Sequence, residues 1–320
     1  MITITEKKTL EELHLLYSKS LLDLVYEAQT IHRLHHDPLE IQVSSLVNIK
    51  SGGCPENCAY CPQSVHNTAK VPVEKLMDVQ KVIELAKSAK TNGASRICLG
   101  AAWREVRDNR DFEHVLEMVS SIAEEKMEVC CTLGMITSEQ ALKLKKAGLT
   151  AYNHNLDTSE AYYDKIITTR DYQDRLNTLK NARNAGIALC SGGIIGMGES
   201  IEDRLQMLLT LASLDPAPES VPINLLVPVE GTELDKQELT SVWELIRMIA
   251  IARILMPKSN IRLSAGRERI NHEGQAICFL AGANSIFMGE KLLTTGNCNI
   301  KDDNVLFDTL GLKFSLITSQ

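Results

Sequence analysis

The chain has 320 residues, 44% of them hydrophobic and 23% charged, with a formal net charge of −7. That composition excludes a disordered or collagen-like polymer, and a chain this long buries a large core without disulfide staples. The acidic balance argues against non-specific nucleic-acid binding and against a polybasic membrane anchor. No apolar run approaches the roughly 20 residues of a membrane helix. The best stretch, Ile246 to Met256, is broken by Arg247 and Arg253, and the opening Met1–Glu6 lacks the order of a signal peptide. A soluble cytoplasmic protein is expected. Nine cysteines in such a chain point to metal binding or catalysis rather than disulfides.

Residues 9–36 read as helical, with leucines on their apolar faces. Short β-rich runs then alternate with amphipathic stretches. Strand candidates start near Leu46, Ser95, Glu128, Ala151, Ile187, Val221, Ile261 and Ser285. Helical patterns lie between them, at Val73–Lys90, Asp111–Lys126, Ser138–Ala147, Asp171–Ala185, Ile201–Leu214, Thr240–Met256 and Asn271–Ala281. Strands alternating with helices predict βα units and a parallel sheet. Eight such units favour a TIM-type (β/α)8 barrel over an open doubly wound sheet. The expected organisation is an N-terminal helical extension over 1–40, a barrel over 41–296 and a C-terminal tail over 297–320.

Side chains in a strand alternate between faces. Ile97 and Leu99 oppose Arg96 and Cys98. Val129, Cys131 and Leu133 oppose Glu128, Cys130 and Thr132, while Tyr152, His154 and Leu156 oppose Asn153, Asn155 and Asp157. Ile187 and Leu189 oppose Ala188 and Cys190; Ile223 and Leu225 oppose Asn224; Ile261 and Leu263 oppose Arg262 and Ser264. Parallel strands covered by helices normally read as continuous apolar runs. Here one face is apolar and the other carries Asn, Asp, Arg and Cys. Inside a barrel that second face meets the axis. Unpaired buried polar groups cost about 1–3 kcal/mol each, so a bound polar ligand or cluster is the natural partner. A solvated face of an antiparallel sheet is the alternative.

After the first strand comes Ser51-Gly52-Gly53-Cys54-Pro55-Glu56-Asn57-Cys58-Ala59-Tyr60-Cys61, a C-x3-C-x2-C pattern. Three thiolates in one Gly-opened loop can reach three corners of an iron–sulfur cubane and leave the fourth open to a small molecule. A structural zinc wants a fourth ligand, and the nearest further cysteine is Cys98. A zinc loop and a chance cluster of thiols are the alternatives.

This triplet resembles the signature of the radical S-adenosylmethionine enzymes. Asn48–Ser64, Tyr152–Asp157, Ile166–Arg170, Cys190–Glu199, Glu219–Asn224 and Arg262–Glu268 together resemble the biotin synthase family. The resemblance implies a 4Fe–4S cluster on Cys54, Cys58 and Cys61, with S-adenosylmethionine on its open iron. It implies a 2Fe–2S cluster on Cys98, Cys130, Cys190 and Arg262. Cys130 is preferred to its neighbour Cys131 by alternation and by the family pattern. A guanidinium is a poor ligand on chemical grounds, so that role of Arg262 comes from resemblance alone. S-adenosylmethionine contacts are implied at Tyr60, Ala101, Asn155, Asp157, Arg175, Ile194 and Val227, and dethiobiotin contacts at Asn153 and Asn224. The activity implied is radical insertion of sulfur from the 2Fe–2S cluster into dethiobiotin, giving biotin. An electron donor such as a flavodoxin or ferredoxin system, iron–sulfur assembly machinery and a homodimer are implied partners. Competing readings are another barrel-type radical enzyme, an iron–sulfur carrier and a zinc-binding interaction module.

Among the remaining residues, Cys278 reads as a buried free thiol, Cys298 as a surface thiol, and His154 as outward-facing packing. His35, His36 and His66 read as polar surface or loop residues, and Lys301-Asp302-Asp303 as a solvated segment. Gly192–Gly198 lacks the spacing of a nucleotide-binding loop.

Overall fold

The computed structural model describes residues 8–315, so the opening segment Met1–Glu6 lies outside the described residues. Two helices precede the sheet, α1 (Leu10–Tyr17) and α2 (Leu21–His35). The single helical run expected over 9–36 is divided because Ser20 caps a new helix, its side chain accepting from the Asp23 amide.

Ten strands follow: β1 (Glu40–Lys50), β2 (Arg96–Ala101), β3 (Glu128–Thr132), β4 (Ala151–Asn153), β5 (Ala188–Cys190), β6 (Gly193–Ile195), β7 (Ser220–Leu225), β8 (Asn260–Leu263), β9 (Ser285–Phe287) and β10 (Lys313–Phe314). All ladder pairs between them are parallel, and β1 pairs with both β2 and β9, which closes the barrel. β5 and β6 both pair with β7 and act as one interrupted stave, so the barrel has eight staves. The interruption falls at Gly192-Gly193. A Cβ on Gly192 would meet the Pro222 carbonyl and one on Gly193 the Met207 sulfur, so only glycine lets these backbones approach.

The helices between staves are α3 (Val79–Thr91), α4 (Arg110–Glu124), α5 (Ser138–Lys146), α6 (Glu160–Tyr163), α7 (Tyr172–Asn184), α8 (Ile201–Ser213), α9 (Val242–Leu255) and α10 (His272–Leu280). Their apolar faces and the outward residues of the strands, among them Ile97, Leu99, Val129, Cys131, Tyr152, Leu189, Ile223 and Leu263, form one continuous core. Helix α3 begins six residues later than the pattern from Val73 predicts. Asp78 caps it, and the segment before it is tied to the barrel rim, with Glu74 N donating to Ser51 O (3.0 Å) and Met77 N to Ile49 O (2.7 Å). Those amides are unavailable for a helical turn.

Residues 297–315 are not a loose tail. Helix α11 (Ile300–Leu310) is followed by β10, which pairs in parallel with β1 at Glu40 and Ile41. The solvated reading of Lys301–Asp303 fails for Asp303. It is 1% exposed and meets Arg267 with both carboxylate oxygens, at 2.5 and 2.8 Å. Cys298 is half-buried, its sulfur 3.9 Å from Gln275 Nε2, and Cys278 is fully buried. His36 is also no surface residue: its Nε2 lies 3.0 Å from an Arg253 nitrogen and 3.0 Å from Pro257 O. Arg253 is fully buried and, among the described residues, has no carboxylate partner; burial pulls its guanidinium down to about 9. Among the described residues no helix is long and apolar enough to cross a membrane.

Two stability predictions follow from these buried charges. Asp303→Asn leaves Arg267 buried and uncompensated, and chemical denaturation is expected to show a loss of about 3–5 kcal/mol. Burial, followed by the Arg253 charge, pulls His32 down to about 3 and His36 to about 4 from an ordinary 6.5. The unfolded chain therefore binds more protons below pH 6.5. Stability is complete above that pH and falls as the pH drops toward the two folded-state values. Thermal melts between pH 7 and 4 should decline less steeply in His36→Asn.

Candidate functional site

The loop after β1 carries the cysteine triplet. Gly52 and Gly53 enter it at φ 64° and 72°, conformations that favour glycine. Its path is held by backbone bonds: Cys54 N donates to Gln63 O (3.0 Å), Val65 N to Cys54 O (2.9 Å) and Cys61 N to Cys58 O (3.0 Å). The Asn67 amide donates to the carbonyls of Cys58 (3.1 Å) and Cys61 (2.8 Å). Burial raises all three thiols, Cys58 to about 11 and Cys61 to about 12. They are protonated at neutral pH until a metal displaces the protons.

Inside the barrel the register sets Cys98 of β2 beside Cys130 of β3, and Cys190 of β5 beside Asn153 of β4. Cys98, Cys130, Ala151 and Cys190 form a small buried cluster apart from the main core, while Cys131 belongs to the outer one. Hydrogen bonds from Cys130 draw the Cys190 thiol well below its ordinary range, and Arg262, Arg96 and Asn153 add to this against the cost of burial. The same bonds push Cys130 up. Arg262 is 1% exposed. Its Nε donates to Ser285 Oγ (2.9 Å), one terminal nitrogen to Ser44 Oγ (3.1 Å), and the other lies 3.9 Å from Cys190 Sγ. Its guanidinium carbon sits 4.5 Å from the Phe287 ring centroid. All of these partners are neutral side chains or a thiol. A buried cation set among three thiols and no carboxylate suits an anionic, sulfide-bearing cluster.

Both cysteine sets line one cavity of about 320 Å³ at the carboxyl ends of the strands. Tyr60, Ala101, Asn153, Asn155, Asp157, Arg175, Ile194, Asn224, Val227 and Arg262 line it too. The structure thus brings every predicted site residue together, whereas Cys131, Cys278 and Cys298 lie elsewhere.

Several of these residues already have protein partners. Tyr60 OH donates to Asp157 Oδ2 at 2.8 Å, and Arg175 donates to the same oxygen. Asn224 Nδ2 donates to Gly193 O (2.9 Å), and its Oδ1 accepts from Ala265 N (3.2 Å). An amide carries two donors and two lone pairs, so one of each remains for a ligand. Asn153 accepts from Thr132 Oγ1 (3.1 Å) and donates to Cys190 Sγ (3.2 Å). His154, expected to face outward, is buried and borders the same cavity, and burial, followed by the Arg175 and Arg170 charges, holds its ring neutral.

The sequence reading missed Trp103, Phe287 and Leu292–Thr295, which also line the cavity, and Gln42, which accepts from Arg262 at 3.4 Å. The β1 run is predicted only from Leu46, so Gln42 and Ser44 fell outside it. The inward position of Ser44, two residues before Leu46, was the available signal.

Residues 48–211 match the model of the radical SAM superfamily, and residues 222–313 that of the biotin and thiamin synthesis associated domain. The chain is 60% identical over 98% of its length, and 93% of the relative's, to the biotin synthase of Cytophaga hutchinsonii. The chain belongs to the biotin synthase family. It is 55% identical to the biotin synthase of Flavobacterium johnsoniae over 97% of this chain and 86% of that one. The fold recurs in a solved methylornithine synthase, with a TM-score of 0.82 at 19% identity, covering 98% of this chain and 95% of that one. It recurs also in the FeFe-hydrogenase maturase of Carboxydothermus hydrogenoformans, with a TM-score of 0.79 at 18% identity, covering 96% and 76%. Membership makes the chain a radical S-adenosylmethionine enzyme.

Proposed function

We propose that the chain converts dethiobiotin to biotin by radical sulfur insertion. The observation that carries this reading is the convergence of Cys98, Cys130, Cys190 and Arg262 in the cavity that also receives Cys54, Cys58 and Cys61. The outer thiols would hold a 4Fe–4S cluster, and the inner thiols with Arg262 a 2Fe–2S cluster that is consumed as the sulfur source. When bound, the 4Fe–4S cluster supplies the electron that splits S-adenosylmethionine and starts hydrogen abstraction.

The chain's own residues bind and orient. Tyr60 and Arg175 fix Asp157 through Oδ2, which leaves Oδ1 to meet ribose hydroxyls. Ala101, Ile194, Val227 and Asn155 complete the S-adenosylmethionine wall. The remaining donor and lone pair of Asn224, with Asn153 one stave group away, suit the N–H and C=O of a ureido ring. Asn153 also touches the Cys190 sulfur, so the amide that meets substrate stands against the inner thiols. A dethiobiotin held this way would sit in the cavity that both cysteine sets line. Reduction by a flavodoxin or ferredoxin system, repair by iron–sulfur assembly machinery and a homodimeric state belong to the same reading.

The deciding experiment is an anaerobic assay of the reconstituted chain with dethiobiotin, S-adenosylmethionine and a reductant. Biotin, methionine and 5′-deoxyadenosine are the expected products, and a colourless zinc protein without product would refute the reading. Cys54→Ala should abolish S-adenosylmethionine cleavage. Cys190→Ala should keep part of that cleavage yet form no biotin; normal biotin formation would overturn the assignment of the sulfur source. In the same series Cys130→Ala is expected to lose the inner iron and Cys131→Ala to retain it, as measured by iron and sulfide content.

A further inference from the structure

The stretch Ile166–Arg170 stands out in the sequence, yet none of its residues has a part in the reading above. In the structure it clasps the residues between the first two cysteines of the triplet. Asn57 donates through Nδ2 to Thr168 Oγ1 (2.6 Å) and accepts through Oδ1 from the amides of Thr168 (2.9 Å) and Thr169 (3.2 Å). Thr169 Oγ1 donates to Glu56, and Ala59 N donates to Ile166 O (2.9 Å). The clasp seals Glu56 from solvent, at 2% exposure.

Two charges face each other within this seal. Glu56 Oε1 lies 4.0 Å from Arg170 Nε and 3.5 Å from Arg104 Nε. The Arg170 side chain is 7% exposed, and among the described residues neither its Nε nor Glu56 Oε1 has a hydrogen-bond partner. Both residues line the cavity beside Cys54 and Cys58. They bring charges of opposite sign to the part of the cavity wall that carries the triplet. Of the other charged groups near the loop, Lys50 is partly exposed and donates to Gly52 O, and Arg175 and Asp157 pair with each other.

We infer that Arg170, docked by Glu56 and the Thr168–Thr169 clasp, is a positioning residue that makes the triplet's cluster easier to reduce, with Glu56 as the opposing charge. The inference rests on reading the triplet as the 4Fe–4S site. Reduction adds one negative charge to a group already bearing three thiolates. A buried cation nearby stabilises that state, and the low dielectric around it magnifies the effect.

The test is an anaerobic redox titration of the reconstituted full chain without S-adenosylmethionine, following the reduced cluster by electron paramagnetic resonance, alongside iron and sulfide analysis. Arg170→Gln should hold about tenfold less reduced cluster at a fixed potential, which for one electron is a shift of about 59 mV to more negative values. Arg170→Lys should stay near wild type, and Glu56→Gln should shift the opposite way. A wild-type potential in Arg170→Gln, or shifts of the same sign in the two neutral variants, overturns the inference while the cluster site stands. If Arg170→Gln loads no cluster, Glu56→Gln decides: a positive shift supports the inference, and no shift or a negative one rejects it. A wild-type chain that loads no iron–sulfur cluster refutes the underlying reading itself.

Discussion

The arrangement turns on a single buried guanidinium. Arg262 projects into a barrel whose outer shell is apolar, and among the described residues no carboxylate answers its charge. Taking an unpaired cation out of water costs several kcal/mol. Two serines and a glutamine recover part of that through neutral hydrogen bonds, and the Phe287 ring adds a cation–π contact. What these cannot supply is opposite charge. The neighbouring thiols can, and Cys190 is already drawn toward its thiolate by the hydrogen bond from Cys130 and by Arg262. On the proposed reading, an anionic cluster on these thiols would complete that balance. Arg96 adds to the same deficit from the barrel floor, where Glu128 at 2.9 Å answers it only in part, because Glu128 is also partly solvated.

Strand alternation accounts for how much of this was legible beforehand. A strand has a period of two, so the sequence alone separates Cys130 from Cys131 and Asn153 from Tyr152. Closure of the sheet then turns one of those faces toward the axis, and Cys98, Cys130 and Cys190 meet without any local signal linking them. The residues that escaped are those whose role depends on register or on contact between distant segments. Glu56 looks like a loop carboxylate until the 166–170 turn covers it. Asp303 looks like part of a charge run until α11 docks it on Arg267. His36 looks like one of three scattered histidines until α2 lays it beside Arg253. In each case hydrophobic patterning is silent, because a buried polar residue is defined by its partner and not by its neighbours in sequence.

The same logic explains why the rim differs from the staves. The prediction of a helix from Val73 relied on spacing alone, and spacing could not reveal that the Glu74 and Met77 amides are used by the end of β1. Loop segments around the cavity are committed by such backbone bonds, and the triplet loop owes its shape to them more than to its cysteines. Metal binding therefore meets a loop already in position, which reduces the ordering entropy that ligation would otherwise cost.

Finally, the two matched segments of the chain do not correspond to two halves of the function. Residues 48–211 contain both cysteine sets, yet β7, β8 and β9, from the second segment, provide Asn224, Arg262 and Phe287 to the same cavity. The join runs through the interrupted stave. β5 and β6 belong to the first segment, and both hydrogen-bond to β7 of the second, with Gly192 packed directly on Pro222. At the opposite seam β1 closes on β9. Cys190 and Arg262 face each other across the first of these joins, so the inner site exists only when both seams are shut. Barrel closure is in this sense the step that creates the chemistry: the guanidinium comes from one segment and the thiols from the other, and neither segment alone surrounds a cavity that could hold what they share.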